Sequence, residues 1–222
     1  MESVKLKYIA MDVDGTLTDG KIYMGQSGEV FKAFDIKDGC GIGIILPKAG
    51  ITPIIITARE SQIVLNRAQE LNITHVYQSC RDKLSKLKEI TNNDLETVAY
   101  IGDDIPDLEC MKEVKNAGGF VGCPADAVEE VKSLSDFIST KPGGNGAVRE
   151  FIEWIVKDSE EEARHMQRMD ESEFLKIKPV CNPNECDHSE MVRICDDGTG
   201  CNTDYGCVKC KLRHTAYEAF RK

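Results

Sequence analysis

YIAMDVDGTLTDG, residues Tyr8–Gly20, decides the reading. An apolar run from Tyr8 to Met11 leads into Asp12, and Asp14 follows one residue later, then Gly15 and Thr16. Alternate side chains of a strand point to opposite faces, so two aspartates with this spacing cannot share one ridge unless the chain bends at once. Gly15 permits that bend. One carboxylate then stands at the strand tip with a second turned back toward it, an arrangement that suits a nucleophile and its proton-transfer partner. A solvated strand end with two exposed aspartates is the alternative that D-x-D alone leaves open.

The formal net charge of -10 argues against nucleic acid as a partner, since phosphate backbones attract clusters of Lys and Arg. The most apolar stretch, Gly41 to Thr57, is interrupted by Pro47, Lys48, Gly50 and Pro53. It reads as a buried helix, a turn and a buried strand, with no membrane span. The N-terminus enters the first strand directly, without a signal-peptide pattern. The expectation is therefore a cytoplasmic enzyme whose cysteines sit in a reducing compartment.

Outward from Gly20, Lys21–Met24 and Val30–Phe34 flank Gly25–Gly28 as a β-hairpin. Gly39–Ala49 reads as a Gly-rich apolar helix, and Thr52–Ile56 as a parallel strand buried on both faces. Ser61 is placed as the cap of a helix reaching Leu71, with Ile63, Val64, Ala68 and Leu71 at helical spacing. His75–Tyr77 is a short strand, and Lys83 opens a helix carrying Leu84, Leu87 and Ile90. Val98–Ile101 is a strand ending in GDDIPD, followed by a helix to Val114. A short strand near Ala117–Phe120, a helix over Asp126–Leu134, a Gly-rich loop at Pro142–Gly146 and a last helix over Ala147–Val156 complete this part. Strands alternating with helices predict an α/β fold with a doubly wound, mainly parallel sheet.

In such sheets ligands bind outside the carboxyl ends of the strands. Asp12 and Asp14, Thr57, and Asp103 and Asp107 all lie at such ends, with Lys83 on the same rim. The clustered carboxylates make a hard-oxygen site for Mg²⁺, with Asp12 and Asp103 as direct ligands and Asp14 contributing its backbone carbonyl. A carboxylate nucleophile, Mg²⁺, a lysine and a threonine together suit phosphoryl transfer.

These residues carry a resemblance. D-V-D-G-T, Thr57 at a strand end, Lys83 and G-D-D-x-x-D resemble the four motifs of the haloacid dehalogenase superfamily of phosphatases. LTDG, the early hairpin, D-G-x-G-I (Asp38–Ile42), D-K-L (Asp82–Leu84), Y-I-G-D-D (Tyr100–Asp104) and G-G-x-G-A-V-R-E (Gly143–Glu150) narrow it. Together they resemble the 3-deoxy-D-manno-octulosonate 8-phosphate phosphatase family, over residues 5–156.

The resemblance implies that Asp12 forms an aspartyl phosphate, while Asp14 protonates the leaving alkoxide and then activates water. It implies that Thr57 and Lys83 hold the phosphoryl oxygens, and that Asp12, the Asp14 carbonyl and Asp103 bind Mg²⁺. Asp104 and Asp107 would support the metal waters and Lys83. Thr57, Ala58 and Arg59, with Gly144 and Gly146, would face a sugar-acid phosphate, and Arg59 would pair with its carboxylate. The family has no cap domain; it is a homotetramer whose hairpins and C-terminal loops close neighbouring sites. Ala58 stands where the family has glycine, which narrows that loop. Arg59 also reads as a surface residue at a helix start.

Residues 1–157 thus form the expected phosphatase domain, and residues 158–222 a charged helix plus a Cys-rich extension without a counterpart in the family. That extension holds Cys181, Cys186, Cys195, Cys201, Cys207 and Cys210. Cys207 and Cys210 form a zinc half-site that Cys181 and Cys186, or Cys195 and Cys201, would complete; a poorly ordered appendage with free thiols is the alternative. Cys40, Cys80, Cys110 and Cys123 read as small buried hydrophobes. The leading function is Mg²⁺-dependent hydrolysis of 3-deoxy-D-manno-octulosonate 8-phosphate. The alternatives are a sialic-acid-like nonulosonate 9-phosphate as substrate, a non-catalytic assembly module, or a zinc-dependent interaction protein.

Overall fold

Tyr8–Met11 (β1) is the central strand of the sheet, and the chain wraps away from it in both directions. The structure, a computed structural model, describes residues 6–157 together with the backbones of two short strands at 191–192 and 206–207. On one side of β1 lie Thr52–Ile56 (β4) and then His75–Tyr77 (β5); on the other lie Val98–Ile101 (β6), Phe120–Cys123 (β7) and Phe137–Ile138 (β8). The order β5-β4-β1-β6-β7-β8 is parallel throughout. Met11 pairs with both Ile55 and Ile101, so the tips of β1, β4 and β6 lie level. The chain order reverses at β1, and this topological switch is where such sheets bind ligands.

Strand alternation explains the two cores. Ile9, Met11, Ile55, Ala99 and Ile101 pack on one face with Ile42, Leu46, Val64, Val148, Phe151 and Ile152. Ala10, Ile54, Ile56, Val98 and Tyr100 pack on the other with Leu87, Met111, Val114 and Val131. Helices on both faces leave the strands no solvated side, which accounts for their nearly continuous apolar sequence.

The helices run Ile36–Cys40 (α1), Leu46–Ala49 (α2), Gln62–Glu70 (α3), Lys83–Ile90 (α4), Leu108–Ala117 (α5), Glu129–Leu134 (α6) and 147–157 (α7). A π-helical turn, Gly41–Ile45, joins α1 to α2. The helix expected over Gly39–Ala49 therefore begins three residues earlier, where Asp35 caps it by accepting from the Lys37 and Asp38 amides. Asp38 in turn accepts from the Gly146 amide at 3.3 Å and the Arg149 amide at 2.7 Å, so a carboxylate in α1 caps α7.

Tyr23–Gly25 (β2) and Gly28–Phe31 (β3) form the hairpin, shorter than expected but in place, with Tyr23 stacked on Phe31 at 4.1 Å between ring centroids. Three expectations need correction. The strand expected near Ala117–Phe120 is Phe120–Cys123, because α5 continues to Ala117 and stops at Gly118. The helix expected from Asp126 starts at Glu129, and Asp126 accepts from the Gly143 amide at 2.9 Å. Ser61 occupies the N-cap position of α3, but its hydroxyl donates to Glu29 across to the hairpin.

The chain divides into two compact units, Met1–Arg168 and Met169–Lys222. In the second, Met191–Val192 (β9) pairs antiparallel with Gly206–Cys207 (β10), Gly206 opposite Val192. The expected exposed helix after Asp158 and the zinc ligands Cys181, Cys186 and Cys210, with the side chain of Cys207, lie outside the described residues. Among the described residues Cys110 and Cys123 are buried and Cys40 and Cys80 are partly exposed, all four as free thiols. No helix among the described residues is long and apolar enough to cross a membrane.

Candidate active site

Asp12 is the first residue past β1, Thr57 the first past β4, and Asp103 the second past β6. All three therefore stand on the rim where the chain order reverses. Asp12 is held there by its amide, which donates to the Ile101 carbonyl at 3.1 Å. Gly15 then turns the chain with φ of +103°, and a Cβ on it would lie 2.0 Å from Asp103 Oδ2. Any side chain there would displace that carboxylate. Thr16, fully buried, donates from its hydroxyl to Asp103 Oδ1 at 2.8 Å, tying the two loops together.

Asp12, Asp103 and Asp107 bring carboxylate oxygens within 4.8 Å of one another, a group able to hold a metal ion. Asp107 differs from the other two. Its Oδ1 accepts from Lys83 Nζ at 2.7 Å and from the buried Tyr100 hydroxyl at 2.7 Å. Its Oδ2 accepts from the Asp103 and Asp104 amides at 3.2 and 3.4 Å. Four donors occupy its lone pairs, leaving Asp12 and Asp103 as the carboxylates open to a cation. Asp104 is exposed and caps the short helical turn at Ile105–Asp107 by accepting from the Ile105 amide.

Lys83 enters from the first turn of α4, which Asp82 caps. Its buried ammonium donates to Asp12 Oδ1 at 2.5 Å and to Asp107. Burial pulls its pKa down, but the charges of Asp12 and Asp107 outweigh that and hold it above the ordinary value. Burial first, and then the charge of Asp107, push the Asp12 carboxyl up to about 7 against the opposing pull of Lys83. Burial first, and then the charge of Asp12, push Asp103 up to about 7 as well. One ammonium thus does not neutralise the carboxylates gathered here. The donor set, hard oxygens with surplus negative charge, fits a divalent cation such as Mg²⁺.

Asp14 turns the other way, toward the hairpin. Its Oδ1 accepts from Lys32 Nζ, and Arg59 Nε stands 3.9 Å from its Oδ2. Lys32 also pairs with Glu29 at 3.0 Å, and Arg59 with Glu29 at 3.1 Å. Thr57 is buried beside this group; its amide donates to the Tyr77 carbonyl and its hydroxyl oxygen accepts from the Arg59 amide at 3.4 Å. Ala58 is exposed on the same loop. The Gly144 amide donates to the Thr16 carbonyl at 3.1 Å and the Gly146 amide to Asp38, so both amides hold the Gly-rich loop to the fold. A Cβ on Gly143 would lie 1.8 Å from the Gly15 carbonyl oxygen, so only glycine lets that loop lie against the bend at Gly15.

Of the residues the sequence put on one rim, the structure gathers Asp12, Asp103, Lys83 and Asp107 in one cluster, with Asp14, Thr57 and Arg59 on its hairpin side. The sequence reading gave no role in the site to Glu29, Lys32, Ser61, Thr16 or Tyr100. The inward charges at Glu29 and Lys32 were visible only as breaks in an otherwise apolar hairpin strand.

No protein-family model matches the chain. The 3-deoxy-D-manno-octulosonate 8-phosphate phosphatase of Escherichia coli K12 is 40% identical over 154 residues, 68% of this chain and 79% of that protein. Among solved structures, that of the same-named phosphatase from Moraxella catarrhalis, in complex with magnesium, phosphate and KDO, is 42% identical. It superposes with a TM-score of 0.65, covering 74% of this chain and 93% of its own. The cobalt-bound deoxy-D-mannose-octulosonate 8-phosphate phosphatase of Haemophilus influenzae is 32% identical with a TM-score of 0.63, covering 70% of this chain and 89% of its own. The chain belongs to the 3-deoxy-D-manno-octulosonate 8-phosphate phosphatase family, on a haloacid dehalogenase fold.

Proposed function

We propose that this protein hydrolyses 3-deoxy-D-manno-octulosonate 8-phosphate to the free sugar acid and inorganic phosphate, with Mg²⁺ held by Asp12, Asp103 and the Asp14 carbonyl. The observation that carries the reading is the buried cluster of Asp12, Asp103 and Lys83 at the chain reversal, with Asp107 fixing the lysine. When bound, the cation supplies charge stabilisation to the transferring phosphoryl group. Asp12 attacks phosphorus, a bond forms to its carboxylate oxygen, and the bond to the leaving alkoxide breaks. Asp14 gives the alkoxide its proton, then takes one from the water that cleaves the aspartyl phosphate. Lys83 and Thr57 hold the phosphoryl oxygens, and Asp104 would support the hydration of the bound cation. Arg59, with Ala58 and the loop at Gly144 and Gly146, faces the sugar acid. Glu29 already pairs with Arg59, so a substrate carboxylate would join or replace that contact.

The protein assembles, in this reading, as a homotetramer whose hairpins cover neighbouring sites. In its support, the hairpin region exposes Ile22, Met24, Val30, Phe31 and Ile36, an apolar set that an isolated subunit would leave in water.

The test is phosphate release from a panel holding the octulosonate 8-phosphate, a nonulosonate 9-phosphate and simple hexose phosphates. The octulosonate is expected to have the highest kcat/KM, with all activity lost in EDTA and regained with Mg²⁺. Equal rates across the panel, or activity indifferent to chelation, would overturn the reading.

A further inference from the structure

Lys32 lies at the foot of the hairpin, and its side chain is only 1% exposed. A buried ammonium needs compensating charge, and here two carboxylates supply it, Asp14 Oδ1 and Glu29 Oε1. Glu29 is itself fixed from outside the hairpin: Ser61 donates its hydroxyl to Oε2 at 2.6 Å, and Arg59 donates to Oε1 at 3.1 Å. Ser61 is anchored in turn, its amide donating to Gln78 Oε1 at 2.6 Å. The cation is thus held between two carboxylates and away from water, with Asp14 Oδ1 against it. On Asp14 this commits Oδ1 and leaves Oδ2, with only Arg59 Nε at 3.9 Å among the described residues, as the oxygen open to a proton transfer.

We propose that Lys32, clamped by Glu29, is a positioning residue for Asp14: it fixes which carboxylate oxygen meets the leaving group and at what angle. The foot of each hairpin then serves its own subunit's site, whatever its apolar tip covers. This rests on the phosphatase reading above. A competing role, an ion pair that merely fastens the hairpin down, would treat all leaving groups alike. A positioning role would not, because an alkoxide needs the proton of Asp14 as its bond to phosphorus breaks, whereas a p-nitrophenolate leaves without one.

The experiment measures leaving-group release in a single turnover of the full-length protein with saturating Mg²⁺. The substrates are the octulosonate 8-phosphate and p-nitrophenyl phosphate. General acid catalysis contributes roughly 10²–10⁴-fold, so Lys32→Met is expected to slow alkoxide release at least about tenfold and nitrophenolate release by less than about threefold. Lys32→Arg should restore most of the alkoxide rate. Glu29→Gln, which keeps Lys32 beside Asp14 and remains informative if the methionine variant does not fold, should show the same split on a smaller scale. Normal wild-type release with equal slowing of both substrates, or no slowing, in the folded variants overturns the inference alone. No release from either substrate by the wild type overturns the phosphatase reading and this inference with it.

Discussion

Asp12 and Asp103 show what a crowded carboxylate site does before a cation arrives. Both are pushed up to about 7, against the ordinary carboxyl value of 3.8. Between those values the folded metal-free protein binds protons that the unfolded chain has released. Stability in EDTA is therefore expected to decline as pH rises from about 4 through 7. Mg²⁺ competes with these protons, so the rise in Tm on adding Mg²⁺ should grow between pH 5 and 8. Thermal unfolding with EDTA or saturating Mg²⁺ across that range checks it; a Tm difference that is flat or shrinks with pH would contradict it. Gly15→Ala should remove most of the Mg²⁺-dependent rise, because its methyl would collide with Asp103 Oδ2. Isothermal titration with Mg²⁺ on the folded variant reads that directly.

Elements were legible in the sequence where one local pattern decided them. Ile54, Ile55 and Ile56 could only be a strand covered on both faces, and GDDIPD after Val98–Ile101 placed the second acidic loop on the same rim as Asp12. What was not legible depends on partners far along the chain. Ser61 looked like a helix cap and instead bonds Glu29, thirty-two positions away. β8 is two residues long and has too little sequence to show a period. Asp38 stood just before the expected Gly-rich helix, with no sign that it would cap α7, 108 and 111 positions on. That cap has a measurable consequence. Asp38→Ala leaves two buried or part-buried amides without an acceptor, at about 1–3 kcal/mol for each orphaned donor. Urea unfolding should show a loss of at least about 1 kcal/mol, with the circular-dichroism spectrum of the folded state retained. An unchanged midpoint would mean the amides find other acceptors.

At the scale of the molecule, both cores and the acidic cluster are built, among the described residues, from residues 6–157. A chain ending at residue 157 is therefore expected to fold and to keep its phosphatase activity and its assembly state. Light scattering and turnover on the two lengths compare them; loss of activity in the shorter chain would give the C-terminal unit a part in the site or the assembly. Covalent chemistry at Asp12 is tested most directly by steady-state phosphate release from Asp12→Asn with Mg²⁺. Asparagine keeps the shape at the tip of β1 but is a poor nucleophile toward phosphorus, so kcat should fall by at least about 10³-fold with the fold intact. A folded Asp12→Asn protein that turns over octulosonate 8-phosphate at close to the wild-type kcat would contradict the mechanism.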